Sequence, residues 1–251
     1  MAIFGAHSER IKTGVALVAG VVAIGYINNF WLMWLFFGAV YILAFKEAIK
    51  LFGVEKDNLL PYAIGLWLLS AIYPYGDDLF VLAGIAYGSL IAYDPSKKWK
   101  DFLPFIYPTA GMLFMFTMYQ EYGVHALLWL LIVVAMTDVG AYFVGKSIGK
   151  TPFSPTSPKK TMEGVFGGVA VATFSGMFVG LPIVDLSIAF FISLGVSITS
   201  IFGDLFESSL KRAANVKDSG DILPGHGGVL DRIDGYLFGG VVMLVLLRGL
   251  V

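Results

Sequence analysis

Val124 to Gly145 reads VHALLWLLIVVAMTDVGAYFVG, an apolar run with one carboxylate, Asp138, in its second half. A helix that crosses a bilayer needs about 20 such residues, so this stretch reads as a membrane span. The rest of the chain agrees. Of its 251 residues 57% are hydrophobic and 14% charged, and the mean hydropathy is +0.79, whereas soluble domains average about 45–50% apolar residues. A carboxylate at membrane depth is costly and usually faces a cavity or a partner, which makes Asp138 a candidate functional residue. The plainer reading is a structural hydrogen bond between helices.

Working outward, apolar runs bounded by charge or turn residues fall at 13–27, 30–45, 59–75, 79–93, 102–120, 164–182, 186–207 and 235–250. The expected fold is an all-α polytopic integral membrane protein of about nine transmembrane helices. A single membrane domain is expected over 1–251, with the less diagnostic N-terminal spans in 1–120 and the catalytic spans and cytoplasmic loops in 121–251. The first run lacks a small-residue cleavage pattern and reads as a span, not a signal peptide. With nine spans, every one of the 17 basic residues except Arg248 falls on one side. Positive loops stay cytoplasmic, so the N-terminus and the two long polar loops, 146–163 and 208–234, are expected inside and the C-terminus outside. Absence of cysteine excludes thiolate nucleophiles and zinc-thiolate sites. No nucleic-acid partner is expected.

Chemistry-bearing residues gather in four places. Thr137-Asp138-Val139-Gly140 is the first. The second is Gly145-Lys146-Ser147-Ile148-Gly149-Lys150, followed by Ser157-Pro158-Lys159-Lys160-Thr161-Met162-Glu163-Gly164, where ammonium groups and backbone N–H groups at a helix mouth suit phosphate. GKSIGK is not the GxxxxGK[ST] phosphate loop, and a cytoplasmic loop gathers lysines for topology alone. Third, Asp204, Ser208 and Lys211 share a helix face with Glu207 beside them, which sets a carboxylate below a cationic rim completed by Arg212. Snorkelling to headgroups would account for Lys211 and Arg212, though not for Asp204. Fourth, Ser208 to Asp234 reads SSLKRAANVKDSGDILPGHGGVLDRID, packing Lys217, Asp218, Asp231, Arg232 and Asp234 around His226-Gly227-Gly228. Such oxygen-rich surroundings suit a hard cation and polyphosphate better than zinc or iron.

The last run resembles the signature of the phosphatidate cytidylyltransferases, the CDP-diglyceride synthetases. S-S-L-K-R, K-D-S-G and L-P-G-H-G-G-V-L-D-R-I-D stand in register over 27 continuous residues. TDVGAYFVGKSIGK and SPKKTMEG are also similar to that family, so the resemblance covers 120–251 well and the earlier spans only by character.

The resemblance implies the reaction CTP + phosphatidate → CDP-diacylglycerol + pyrophosphate, with Mg²⁺ required, a second cation left open, and a homodimer in a prokaryotic-type cytoplasmic membrane. It implies Asp204 and Asp231 as metal ligands, with Asp138, Asp218 and Asp234 around them. Lys211, Arg212 and Lys217 would hold phosphate oxygens, with His226 and Arg232 beside them. Lys146, Ser157, Lys159, Lys160, Thr161, Ser208, Gly227 and Gly228 would bind substrate. Rival readings are a related CTP-dependent lipid enzyme, such as a CDP-archaeol synthase or a polyprenol kinase, and, from another class, a transporter. A transporter would place its polar groups at the midplane, whereas these lie mostly in two cytoplasmic loops.

Overall fold

A computed structural model describes residues 2–54 and 59–251, with side chains from residue 13 onward. Its elements are α1 (Ala2–Ile27), α2 (Phe30–Leu51), α3 (Leu60–Leu69), α4 (Gly76–Tyr93), α5 (Ala110–Ile148), β1 (Pro152–Ser154), β2 (Ser157–Thr161), α6 (Met162–Val179), α7 (Leu186–Ala213) and α8 (Leu230–Leu250). Five helical stretches among the described residues are long and apolar enough to cross a membrane: Phe30–Leu51, Trp99–Ile148, Met162–Val179, Leu186–Ala213 and Leu230–Leu250. The protein is an all-α membrane protein. Its nine-span count is not established, because Thr13–Ile27 and Leu60–Leu69 are apolar but shorter. Lys56 and the side chains of Arg10 and Lys12, part of the charge pattern, lie outside the described residues.

Local sequence sets the breaks. Asn28 takes a left-handed φ of 45° after α1, and the Asn29 carboxamide accepts the Leu32 N–H to cap α2. Inside α5, Gly123 has φ 74° and ψ −172°, a conformation that glycine adopts without a Cβ penalty. The runs 102–120 and 124–145 are thus parted by a real break.

The chain divides into two compact units, Met1–Thr109 with Ala213–Ile233, and Ala110–Arg212 with Asp234–Val251. The division does not follow residue 120, and most of the 208–234 run belongs with the N-terminal helices.

The first unit is built on aromatics. Trp34 and Trp67 stack with centroids 6.4 Å apart, and each indole N–H donates to the other's carbonyl at 3.3 Å. Gly38 leaves the space that Trp67 fills. The buried Tyr41 hydroxyl meets Thr109 Oγ1 at 3.0 Å, while Phe45 packs edge-on against Phe105.

Small residues organise the second unit. A Cβ at Gly140 would lie 2.9 Å from Gly168 Cα, and one at Gly164 2.8 Å from the Ala141 carbonyl. Gly176 abuts Val133 and Ser193, and Gly180 abuts Trp129. The glycine-rich face of α6 is therefore spent on packing within the chain, chiefly against α5. Buried hydrogen bonds from Trp129 Nε1 to Ser193 Oγ at 2.9 Å and between Thr137 and Ser197 hydroxyls at 2.8 Å tie α5 to α7.

Candidate active site

In the second unit, α5 runs out at Ile148 and the chain turns through an antiparallel hairpin before entering α6. Pro152 pairs with Thr161 and Ser154 with Ser157. The polar stretch 146–163, expected as a loop, thus contains a short two-stranded sheet. Thr161 caps α6, its Oγ1 accepting the Gly164 N–H at 3.2 Å. The Glu163 carboxylate accepts the N–H groups of Lys150 and Thr151 at 3.1 and 3.2 Å and the Thr151 hydroxyl at 2.9 Å. These bonds hold both amides within the protein and stiffen the hairpin.

The lysines are placed differently. Thr137, Asp138, Lys146, Lys159, Lys160 and Thr161 share the lining of one cavity of about 410 Å³, whose walls also include Ala141, Tyr142 and Ile201. That volume lies in the range of small-molecule sites. Lys146 Nζ sits 5.6 Å from the Tyr142 ring centroid, close enough for a cation–π contact. Ser157 is not among the lining residues.

Across from the hairpin, Lys160 forms an ion pair with Asp204 of α7. Ser208, one turn on, donates to Asp204 Oδ1 at 3.3 Å, as the helical spacing predicts. Lys211 Nζ lies 2.6 Å from Glu207 Oε2, whose side chain is fully buried, so this ammonium is anchored on a carboxylate at the helix end. Arg212 follows, exposed. Asp234 enters beside this face: a Cβ at Gly203 would lie 2.6 Å from the Asp234 carbonyl.

In the first unit the 213–233 segment is a folded loop. Gly225 and Gly227 have φ of 74° and 81°, so the Pro-Gly-His-Gly turn needs glycine at both places. Its neck is a bridge from the Leu223 N–H to the Gly227 carbonyl at 3.0 Å. Arg232 donates twice, from Nε and Nη2, to the His226 carbonyl at 2.9 and 2.6 Å. Asp231 Oδ2 accepts the Ser219 N–H at 2.8 Å, the Ser219 hydroxyl at 3.0 Å and the Gly228 N–H at 2.8 Å. The loop thus gathers Asp218, His226, Gly227, Gly228, Asp231 and Arg232, while Lys217 and Asp218 stay exposed.

One buried residue of this segment's surroundings is not apparent from the sequence. Glu47 is 3% exposed on α2, and its Oε2 accepts the buried Ser219 hydroxyl at 2.9 Å. The only local hint was an acid in an otherwise basic stretch, Phe45-Lys46-Glu47-Ala48-Ile49-Lys50.

The fold and site define a class: helical membrane proteins with lysines and carboxylates gathered at helix ends, groups of the kind that pair with phosphate. Comparison with known proteins narrows the class. Residues 8–250 match the model of the cytidylyltransferase family. The chain is 41% identical over 244 residues to the phosphatidate cytidylyltransferase of Helicobacter pylori strain ATCC 700392 / 26695, covering 96% of this chain and 92% of that one. The Thermotoga maritima phosphatidate cytidylyltransferase is 36% identical over 220 residues, 80% of this chain and 82% of its own. That of Bacillus subtilis strain 168 is 47% identical over 124 residues, 47% and 46% of the two chains. This chain belongs to the cytidylyltransferase family.

Proposed function

We propose that this protein is a nucleotidyltransferase that converts CTP and phosphatidate to CDP-diacylglycerol and pyrophosphate. The observation that carries the reading is the similarity to phosphatidate cytidylyltransferases along nearly the whole chain. The cavity lined by Asp138, Lys146, Lys159 and Lys160 supports it with a local place for an anionic substrate.

The nucleophile comes with the lipid. A phosphate monoester is largely ionised near neutral pH, so an oxygen of phosphatidate attacks the CTP α-phosphorus and pyrophosphate departs in line. The protein's work is then positioning and charge neutralisation. Lys146, Lys159 and Lys160 hold anionic oxygens, and Lys211, Arg212 and Lys217 serve phosphate oxygens at the helix ends. Ser157, Ser208 and Thr161 contribute hydroxyls. Gly227 and Gly228 let backbone approach the substrate, with His226, Arg232 and Asp218 in the same segment, and Asp138 and Asp234 contribute from the second unit.

The residues fit magnesium. Among the described residues no three His, Asp or Glu side chains converge into a ready-made cage, and magnesium is ordinarily held by one or two carboxylates plus waters and phosphate oxygens. Asp204 already carries a cation, the Lys160 ammonium. Asp204 and Asp231 are the carboxylates we propose as metal-holding residues, by similarity to the family. When bound, the ion would neutralise charge on the phosphates.

Phosphatidate keeps its chains in the bilayer, which fits a membrane domain with polar groups at helix ends. We place the protein in a bacterial cytoplasmic membrane, N-terminus and active-site loops inside and C-terminus outside, from the charge segregation; a homodimer follows the resemblance. Supplying the purified protein with CTP, Mg²⁺ and either diacyl phosphatidate, a diether phosphate or a polyprenol tests the acceptor. CDP-diacylglycerol as the preferred product supports the reading, whereas phosphorylation of the polyprenol would overturn it.

A further inference from the structure

Glu47 is a charged group sealed inside the first unit, 172 residues away in sequence from its partner Ser219. Burying a carboxylate is costly unless hydrogen bonds replace its water. Here they do. Oε1 accepts the Val229 N–H at 2.9 Å, and Oε2 accepts the Leu230 N–H at 2.8 Å and the Ser219 hydroxyl at 2.9 Å. Val229 and Leu230 open α8, so the carboxylate takes two amides that a helix start leaves without intrahelical partners, at the end of the dipole that favours negative charge.

The loop is moulded around this group. A side chain at Gly220 or at Gly228 would collide with the Glu47 carboxylate, which gives these two glycines a steric reason. Asp231 holds the same segment from the other side through Ser219 and Gly228. The Ser219 hydroxyl lies within 3.0 Å of both carboxylates, and its single hydrogen serves one of them at a time.

We propose that Glu47 is a positioning residue for cytidylyl transfer: from α2 it fixes the Lys217–Asp231 segment in its working shape without touching substrate. The inference rests on the reading that this segment serves the reaction. Glu47→Gln would turn an amide N–H toward at least one backbone or hydroxyl donor, so it cannot reproduce the three bonds.

The test is steady-state kinetics together with hydrogen–deuterium exchange of purified wild type, Glu47→Gln and Ser219→Ala. Glu47→Gln is expected to lower kcat about 100-fold, the scale of an ångström-level misplacement, with KM for CTP changed less than about threefold. Exchange should speed up at residues 219–230 alone. Ser219→Ala keeps both backbone bonds and should lose about tenfold in kcat, the scale of one hydrogen bond to a charged group. This second variant decides the matter if Glu47→Gln does not fold. A kcat within twofold of wild type in the folded variants, or fast exchange across all helices, would overturn the role. If wild type itself fails to join CTP to phosphatidate, the reading of the reaction falls, while local exchange still decides whether Glu47 holds the loop.

Discussion

Lys160, at the end of the hairpin, is ion-paired with Asp204 in the middle of the polar face of α7. Both are expected to act on substrate, yet here each neutralises the other. Their side chains retain 25% and 30% of their exposure, so water screens the pair and it can exchange partners. An arriving cation and polyphosphate would separate the two, Asp204 taking the cation and Lys160 the anion.

Lys160→Met should therefore have opposite effects on two quantities. Half-saturating Mg²⁺ should fall severalfold because Asp204 no longer has a competing ammonium, while kcat should drop about 100-fold for want of a charge on the phosphates. A magnesium titration of initial rates in detergent reads both.

Asp204→Asn keeps the size of the side chain and removes its charge. Turnover is expected to fall by about 1,000-fold, with helix content by circular dichroism unchanged, and chelating Mg²⁺ should abolish wild-type turnover equally. Turnover near wild type would remove Asp204 from the site.

Gly168 lies against the Thr137 carbonyl and Ala141, leaving no room for a larger side chain. Gly168→Val should wedge α6 away from α5 and destabilise the protein by about 1–3 kcal/mol, the usual cost of overpacking. Thermal unfolding in detergent would register this as a lower Tm.

Arg248, the one basic residue outside the charge segregation, makes a two-pronged bond to Glu121 at 3.0 and 2.5 Å. The pair is partly exposed, and such pairs contribute about 0–1 kcal/mol. Arg248→Ala should shift Tm only slightly and leave kcat unchanged in the same two assays.

What was legible in the sequence followed from local physics. Hydropathy marked the helical stretches and the gap between the runs 102–120 and 124–145, where α5 breaks at Gly123, and helical spacing joined Ser208 to Asp204. The hairpin at 152–161 was missed because its strands are short and polar, without the alternation of a buried strand. Glu47 was missed for a different reason. Its partners, Ser219, Val229 and Leu230, lie 172 to 183 residues away, and no periodicity within α2 carries that information. The grouping of 213–233 with the N-terminal helices is hidden in the same way, being set by tertiary hydrogen bonds.

The most direct measurement is pyrophosphate release by the purified protein in mixed micelles holding CTP, phosphatidate and Mg²⁺, with each omitted in turn and dATP replacing CTP as a control. The proposed reaction requires release only when all three are present, with CDP-diacylglycerol formed in equal amount. Folded protein that releases no pyrophosphate under these conditions, or releases it without the lipid, would contradict it.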